Sequence, residues 1–176
     1  MIRILVSDTS VLIDLERGGL LEACFNLSFR FTVPNLMYEH ELKEHDRGNL
    51  IKLGLSIERL DDSCVSLAVK HRREKPALST SDSFVLALAQ TRNWILLSGD
   101  KTLRQLAENN AVECHGVLWL LDRILCESAA TMQELHDGLV KISEHPRCRL
   151  PNSEVQKRLH LYQDSLNRKP NITKKP

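Results

Sequence analysis

The stretch that decides the fold is Arg3 to Glu16, RILVSDTSVLIDLE. A β-rich apolar run stops at Ser7-Asp8-Thr9-Ser10, and apolar residues at helical spacing follow. A carboxylate therefore stands where strand gives way to helix. Asp, Ser and Thr at that point cap a helix by accepting hydrogen bonds from the free N–H groups of its first turn. The same acid also suits a metal-ligating or catalytic role, and on this stretch alone both readings stay open.

Outward from it, the same alternation repeats. FRFTV (Phe29 to Val33) and LSIERL (Leu55 to Leu60) read as strands, as do WILLSGD (Trp94 to Asp100) and the brief AVEC (Ala111 to Cys114). Between them the spacing predicts helices. The first runs through SVLIDLERGGLLEACFNL and is interrupted at Gly18-Gly19; the second starts at Pro34 and continues through NLMYEHELKEH. DDSCVSLAVKHRREK enters through Asp61-Asp62-Ser63 and is closed by Pro76. STSDSFVLALAQTRN is apolar all round from Phe84 to Ala89, which predicts a buried helix. KTLRQLAENN and HGVLWLLDRILCE follow the last two strands. Strands alternating with helices imply a parallel sheet covered on both faces, an α/β fold.

From about residue 128 the character changes. TMQELHDGLVKISEH and PNSEVQKRLHLYQDSLN are amphipathic helices without strands, and RKPNITKKP is a polar, basic tail expected to be disordered. The expected organisation is a domain over 1–127, a helical extension over 128–167 and the tail over 168–176.

With 24 Lys+Arg against 23 Asp+Glu, the formal charge is +1, so no global basic field points to nucleic acid and any such binding must come from local patches. No apolar stretch reaches the roughly 18 residues of a membrane span, and the one after Arg3 is too short for a signal-peptide core. The five cysteines (Cys24, Cys64, Cys114, Cys126, Cys148) are odd in number and contain no CxxC pair, which favours free thiols in a reducing cytoplasm. His40 and His45 flank Glu41, and His115 adjoins Cys114, but none belongs to a zinc-binding pattern.

Two apolar strands, ILVSD and ILLSGD, end in an acid just before a helix. In an open parallel sheet, sites gather at the carboxyl ends of strands where the strand order reverses, so Asp8 and Asp100 can meet there. Asp82 lies in the first turn of the buried helix, and Glu39 and Glu41 in the first turns after Pro34. Each has a plain alternative: helix capping for Asp100, dipole stabilisation for Asp82, a solvated face for the glutamates. As a converging set, four carboxylates repel one another unless a cation neutralises them. A hard divalent ion, Mg²⁺ or Mn²⁺, suits such oxygen donors.

LVSDTSVLIDL, VPNLMYEHEL, STSDSFVLALA and WILLSGDKTLRQLA, in that order, resemble the motifs of the PIN-domain ribonucleases, the family that includes the VapC-type toxins. The resemblance runs from about Ile2 to about Glu127. It implies a three-layer α/β/α domain with a central parallel sheet, to which the later helices are an extension. It places the family's acids on Asp8, Asp82 and Asp100. Its glutamate falls on Glu39 or Glu41: Glu41 precedes Leu42 as in a common Glu-Leu pairing, whereas Glu39 stands nearer the helix start and is the first choice. Ser10 and Ser98 take hydroxyl positions that orient carboxylates, and Thr9 or Ser10 is left to cap the helix if Asp8 is a ligand.

The implied activity is hydrolysis of RNA phosphodiester bonds supported by Mg²⁺ or Mn²⁺, with 5′-phosphate and 3′-hydroxyl products. Lys101 is the first choice for phosphate contact; Arg104 and KHRREK (Lys70 to Lys75) are further cations whose plainer role is an exposed helix end. By the same resemblance the partners are RNA, a small antitoxin protein and a second copy of the chain. A receiver domain would need paired acids after the first strand, and a haloacid-dehalogenase phosphatase an acid where Ser10 stands. The alternative that survives is a PIN-like fold without catalysis, kept for binding RNA or protein.

Overall fold

The structure is a computed structural model that describes residues 3–46 and 49–167; the basic tail at 168–176 lies outside the described residues. β1 (Arg3–Ser7) is the central strand of a parallel sheet. It pairs on one side with β2 (Phe29–Pro34), which carries β3 (Ser56–Glu58), and on the other with β4 (Ile95–Leu97), which carries β5 (Cys114–His115). Among the described residues the strand order is β3-β2-β1-β4-β5. The chain steps outward from β1 through β2 to β3, then returns across the sheet to β4. The order therefore reverses at β1 and β4, whose register sets Ser7 opposite Leu97.

α1 (Thr9–Gly18) buries Val11, Leu12 and Leu15, the spacing of one helical stripe. It stops because Gly19 adopts the left-handed conformation, φ +68°, and returns its N–H to Glu16 and Leu15 carbonyls. α2 (Leu21–Phe25) follows. The chain after Pro34 is helical as expected, in three pieces: α3 (Asn35–Met37), a wide π-helical turn (Tyr38–Leu42) and α4 (Lys43–Asp46). α5 (Asn49–Leu53) then leads into β3.

α6 (Asp62–Glu74) is capped by Asp61 and packs on α7 (Thr80–Arg92), which is capped by Ser79. α7 lies against β1, β2 and β4, and Val85 to Ala89 are fully buried there, whereas Phe84 is only partly so. α8 (Lys101–Asn109) connects β4 to β5. β5 begins at Cys114 rather than Ala111, because Ala111 turns with φ +56° and Val112 N–H closes onto the Ala107 carbonyl at the end of α8.

α9 (Val117–Cys126) and α10 (Met132–Ser143) pack with α1 and complete the second helical layer. α1 and α10 meet backbone to backbone: a Cβ on Gly138 would stand 2.9 Å from the Gly18 carbonyl and 2.6 Å from Leu20 Cδ1. α11 (Asn152–Asn167) covers α10 with Val155 and Tyr162. Arg158 fixes it to α9 through a two-pronged bond to Asp122, 2.8 Å from Nε and 2.6 Å from Nη2. Leu135, Leu139, Ile142, Val155 and Tyr162 join the same apolar core as the sheet. The architecture is a three-layer α/β/α fold around a parallel sheet.

Candidate active site

Asp8 follows β1 directly, and its backbone N–H reaches the Leu97 carbonyl of β4 at 3.0 Å, which ties the two central strand ends together. Its Oδ1 accepts the Val11 N–H at 3.1 Å and the Ser10 hydroxyl at 2.7 Å. Asp8 is thus itself the cap of α1, and the expectation that Thr9 or Ser10 takes that task is corrected. One carboxylate oxygen serves the helix, so capping and site chemistry are not exclusive roles. Burial pushes the Asp8 carboxyl above its ordinary range, partly opposed by hydrogen bonds from Ser98, Ser10 and Val11, with the charge of Asp82 pushing it further up.

Asp100 caps α8 in the same way, Oδ1 accepting the Leu103 N–H at 2.9 Å. Ser98, fully buried, bridges the two acids: its Oγ accepts the Asp100 N–H at 3.0 Å while its hydroxyl favours the charged form of Asp8. Asp82, in the first turn of α7, is half-buried. Its carboxyl is pushed up by burial first, opposed by the Ser79 side chain, and raised again by the charges of Asp100 and Glu41.

The two glutamates separate. Both glutamates are exposed, but Glu41 accepts the Thr9 hydroxyl at 2.6 Å, next to Asp8 in the chain, whereas Glu39 is paired with Lys43 at 2.6 Å. The structure therefore brings Asp8, Asp82, Asp100 and Glu41 to one rim and leaves Glu39 outside it. Among the described residues no three His, Cys, Asp or Glu side chains stand close enough together to form a ligand set as they are.

Lys101 opens α8 beside Asp100, exposed and, among the described residues, without an ion pair. Arg104 donates to the Ser98 carbonyl at 3.1 Å, at the same strand end. The KHRREK cations lie at the end of α6: Lys70 faces Glu74 and Arg72 donates to the Thr80 hydroxyl, while His71 is buried against Gln90. Two contacts were not legible in the sequence. Thr9 bonds across 32 positions, and Arg149, between α10 and α11, reaches Asp100 Oδ2 at 3.3 Å. The paired arginines of PRCRLP were the only trace of the second.

An open parallel α/β sheet with acids at its reversal point is compatible with a nuclease-type fold, and the family match supports one. The chain belongs to the family described as PIN domain (DUF3368), whose model matches residues 4–164. PIN domains are generally nucleases and typically use divalent metal ions. The family match runs on through the helices beyond α9. Among solved structures the chain is similar to a PilT N-terminus domain protein from the hyperthermophilic archaeon Sulfolobus solfataricus P2. The two are 17% identical over 69% of this chain and 93% of that one, with a TM-score of 0.48. No curated protein matches. Among the described residues no helix is long and apolar enough to cross a membrane.

Proposed function

We propose that this chain is a Mg²⁺- or Mn²⁺-dependent endoribonuclease whose site is Asp8, Asp82, Asp100 and Glu41. The observation that carries the reading is electrostatic. Asp82 feels both Asp100 and Glu41, and Asp8 feels Asp82, so acids from four separate segments share one field. Such a set is stable when a cation joins it, and hard carboxylate oxygens are the donors Mg²⁺ and Mn²⁺ take.

Asp8, Asp82, Asp100 and Glu41 would hold the ion. Bound there, it supplies charge neutralisation at the phosphate and a lowered pKa for water. Ser10 and Ser98 fix the Asp8 carboxylate, Ser98 also fixes the start of α8, and Thr9 fixes Glu41. Lys101 is placed to meet a phosphate. The test is cleavage of labelled RNA by purified protein with Mg²⁺ or Mn²⁺, with EDTA, and with Asp8→Asn. Cleavage that survives both EDTA and the substitution sinks the reading.

The proposal extends to a toxin role with a small antitoxin and a second copy of the chain as partners. Induced expression that arrests growth, relieved by Asp8→Asn, supports it. A second reading, a PIN fold kept for binding alone, is favoured by one contact: Arg149 already pairs with Asp100 at 3.3 Å from within the chain. A calorimetric Mn²⁺ titration separates the two, since the inert module takes up no ion.

A further inference from the structure

The end of β4 turns a carbonyl away from the sheet. Ser98 donates its N–H to the His115 carbonyl of β5 at 2.8 Å. In a parallel ladder the Ser98 carbonyl would then take the N–H two residues further along the partner, that of Val117. α9 begins at Val117 instead, with Gly116 as its cap. Arg104, carried back over the strand end by the first turn of α8, answers the carbonyl: its Nη1 donates to Ser98 O at 3.1 Å. A glycine leaves the room for it. A Cβ on Gly116 would stand 3.2 Å from Arg104 Nη1 and 3.4 Å from the same carbonyl oxygen.

A buried carbonyl calls for a donor, and this one matters because of what Ser98 serves. Ser98 is fully buried; its Oγ accepts the Asp100 N–H at 3.0 Å, and its hydroxyl also hydrogen-bonds Asp8. Gly99, the link between Ser98 and Asp100, brings no side chain to stiffen the turn. The aim of the hydroxyl therefore depends on the peptide that Arg104 holds.

We propose that Arg104 is a positioning residue of the carboxylate site: its hold on the Ser98 carbonyl fixes the turn Ser98-Gly99-Asp100, and with it the two acids that the Ser98 hydroxyl serves. The sign of its effect separates this from a plain charge effect. By charge alone, a cation beside carboxylates opposes a metal ion, so its removal tightens metal binding. A cation that holds the bracket of the ligands does the opposite, and its removal weakens binding.

The inference rests on the metal-site reading, and a metal-free measurement tests it separately. Mn²⁺ affinity is read by calorimetry on the full chain, and exchange of the Asp100 amide by NMR in EDTA. The variants are Arg104→Met, Arg104→Lys, Ser98→Ala and the double variant Arg104→Met/Ser98→Ala, with thermal melts to establish that each is folded. Arg104→Met keeps the stem and loses the donor. It is expected to weaken Mn²⁺ binding about tenfold or more, the scale on which groups that orient metal ligands act, and to speed Asp100 exchange about fivefold. Arg104→Lys is expected to restore most of both, because the contact uses one donor atom. In the Ser98→Ala background Arg104→Met is expected to change either by less than about twofold, since the path it acts through is already cut.

In a chain that binds Mn²⁺, affinity that rises or stays level in Arg104→Met overturns the proposal, as does Asp100 exchange at the wild-type rate. A tenfold loss that persists in the Ser98→Ala background overturns it too, because Arg104 then acts without Ser98. Weaker RNA binding in Arg104→Met, with Mn²⁺ affinity and Asp100 exchange unchanged, also overturns it and gives Arg104 to the phosphates. Wild type that takes up no Mn²⁺ sinks the metal-site reading, and Ser98-dependent acceleration of Asp100 exchange in Arg104→Met then still supports the pin.

Discussion

The Thr9 hydroxyl donates to Glu41 Oε2 at 2.6 Å, joining the turn after β1 to the π-helical turn after β2. Glu39, two residues earlier, points to Lys43 instead. Glu41→Gln is therefore expected to lower metal-dependent RNA cleavage by about 10²-fold or more, the scale on which placed electrostatic groups act in catalysis. Glu39→Gln is expected to change it less than about threefold, since an exposed i,i+4 pair contributes little. Initial rates at saturating Mn²⁺ for both variants check this, and equal losses would remove Glu41 from the site.

How much of the molecule was legible in its sequence depends on how local each signal is. The β1–Asp8–α1 and β4–Asp100–α8 units were legible because apolar run, cap and helical spacing are all local. The choice between Glu39 and Glu41 was not, because the π turn at Tyr38–Leu42 widens the helix by a residue and re-phases the side chains around it. Nearness to the helix start, which favours Glu39, carries no information about that phase. The β5 boundary slipped for a similar reason: Val112 is a strand former by type, but it and Ala111 are used to close α8. Arg149 reaches Asp100 over 49 positions through the packing of two helices, a contact no local pattern encodes.

The buried acids predict a pH and metal dependence of stability. Burial raises the Asp8 carboxyl above its ordinary 3.8, so the folded chain holds a proton that the unfolded chain releases. Stability is therefore greatest below 3.8 for this group and falls as pH rises through the elevated value. Asp8→Asn keeps an acceptor for Val11 N–H and removes the charge, so it is expected to be more stable than wild type at neutral pH without metal, with a shallower pH slope. Asp82, raised in the same direction, leaves part of the slope in place. Saturating Mn²⁺ is expected to raise Tm of wild type and to leave Asp8→Asn nearly unmoved, by the linkage of binding to folding. Urea titrations across pH, with and without Mn²⁺, measure all three.

Gly138 sits inside α10, where alanine is intrinsically the better helix former by about 1 kcal/mol. Gly138→Ala is nonetheless expected to destabilise by about 1–3 kcal/mol, the cost of overpacking a filled interface. The added methyl would meet the Gly18 carbonyl, which is backbone and cannot rotate away. A rise in Tm on this substitution would show that α1 and α10 separate readily.

Tyr162 of α11 is fully buried, and its hydroxyl has no hydrogen-bond partner among the described residues. Burial pushes that hydroxyl up to about 12, helped by the charge of Asp122. A buried polar group left unpaired costs about 1–3 kcal/mol, while the ring itself fills the space between α10 and α11. Tyr162→Phe keeps the ring and removes the unpaired group. It is expected to hold or raise stability, and Tyr162→Ala to lower it by about 3–5 kcal/mol through the cavity left behind. A phenylalanine variant that melts well below wild type would mean the hydroxyl has a partner in solution.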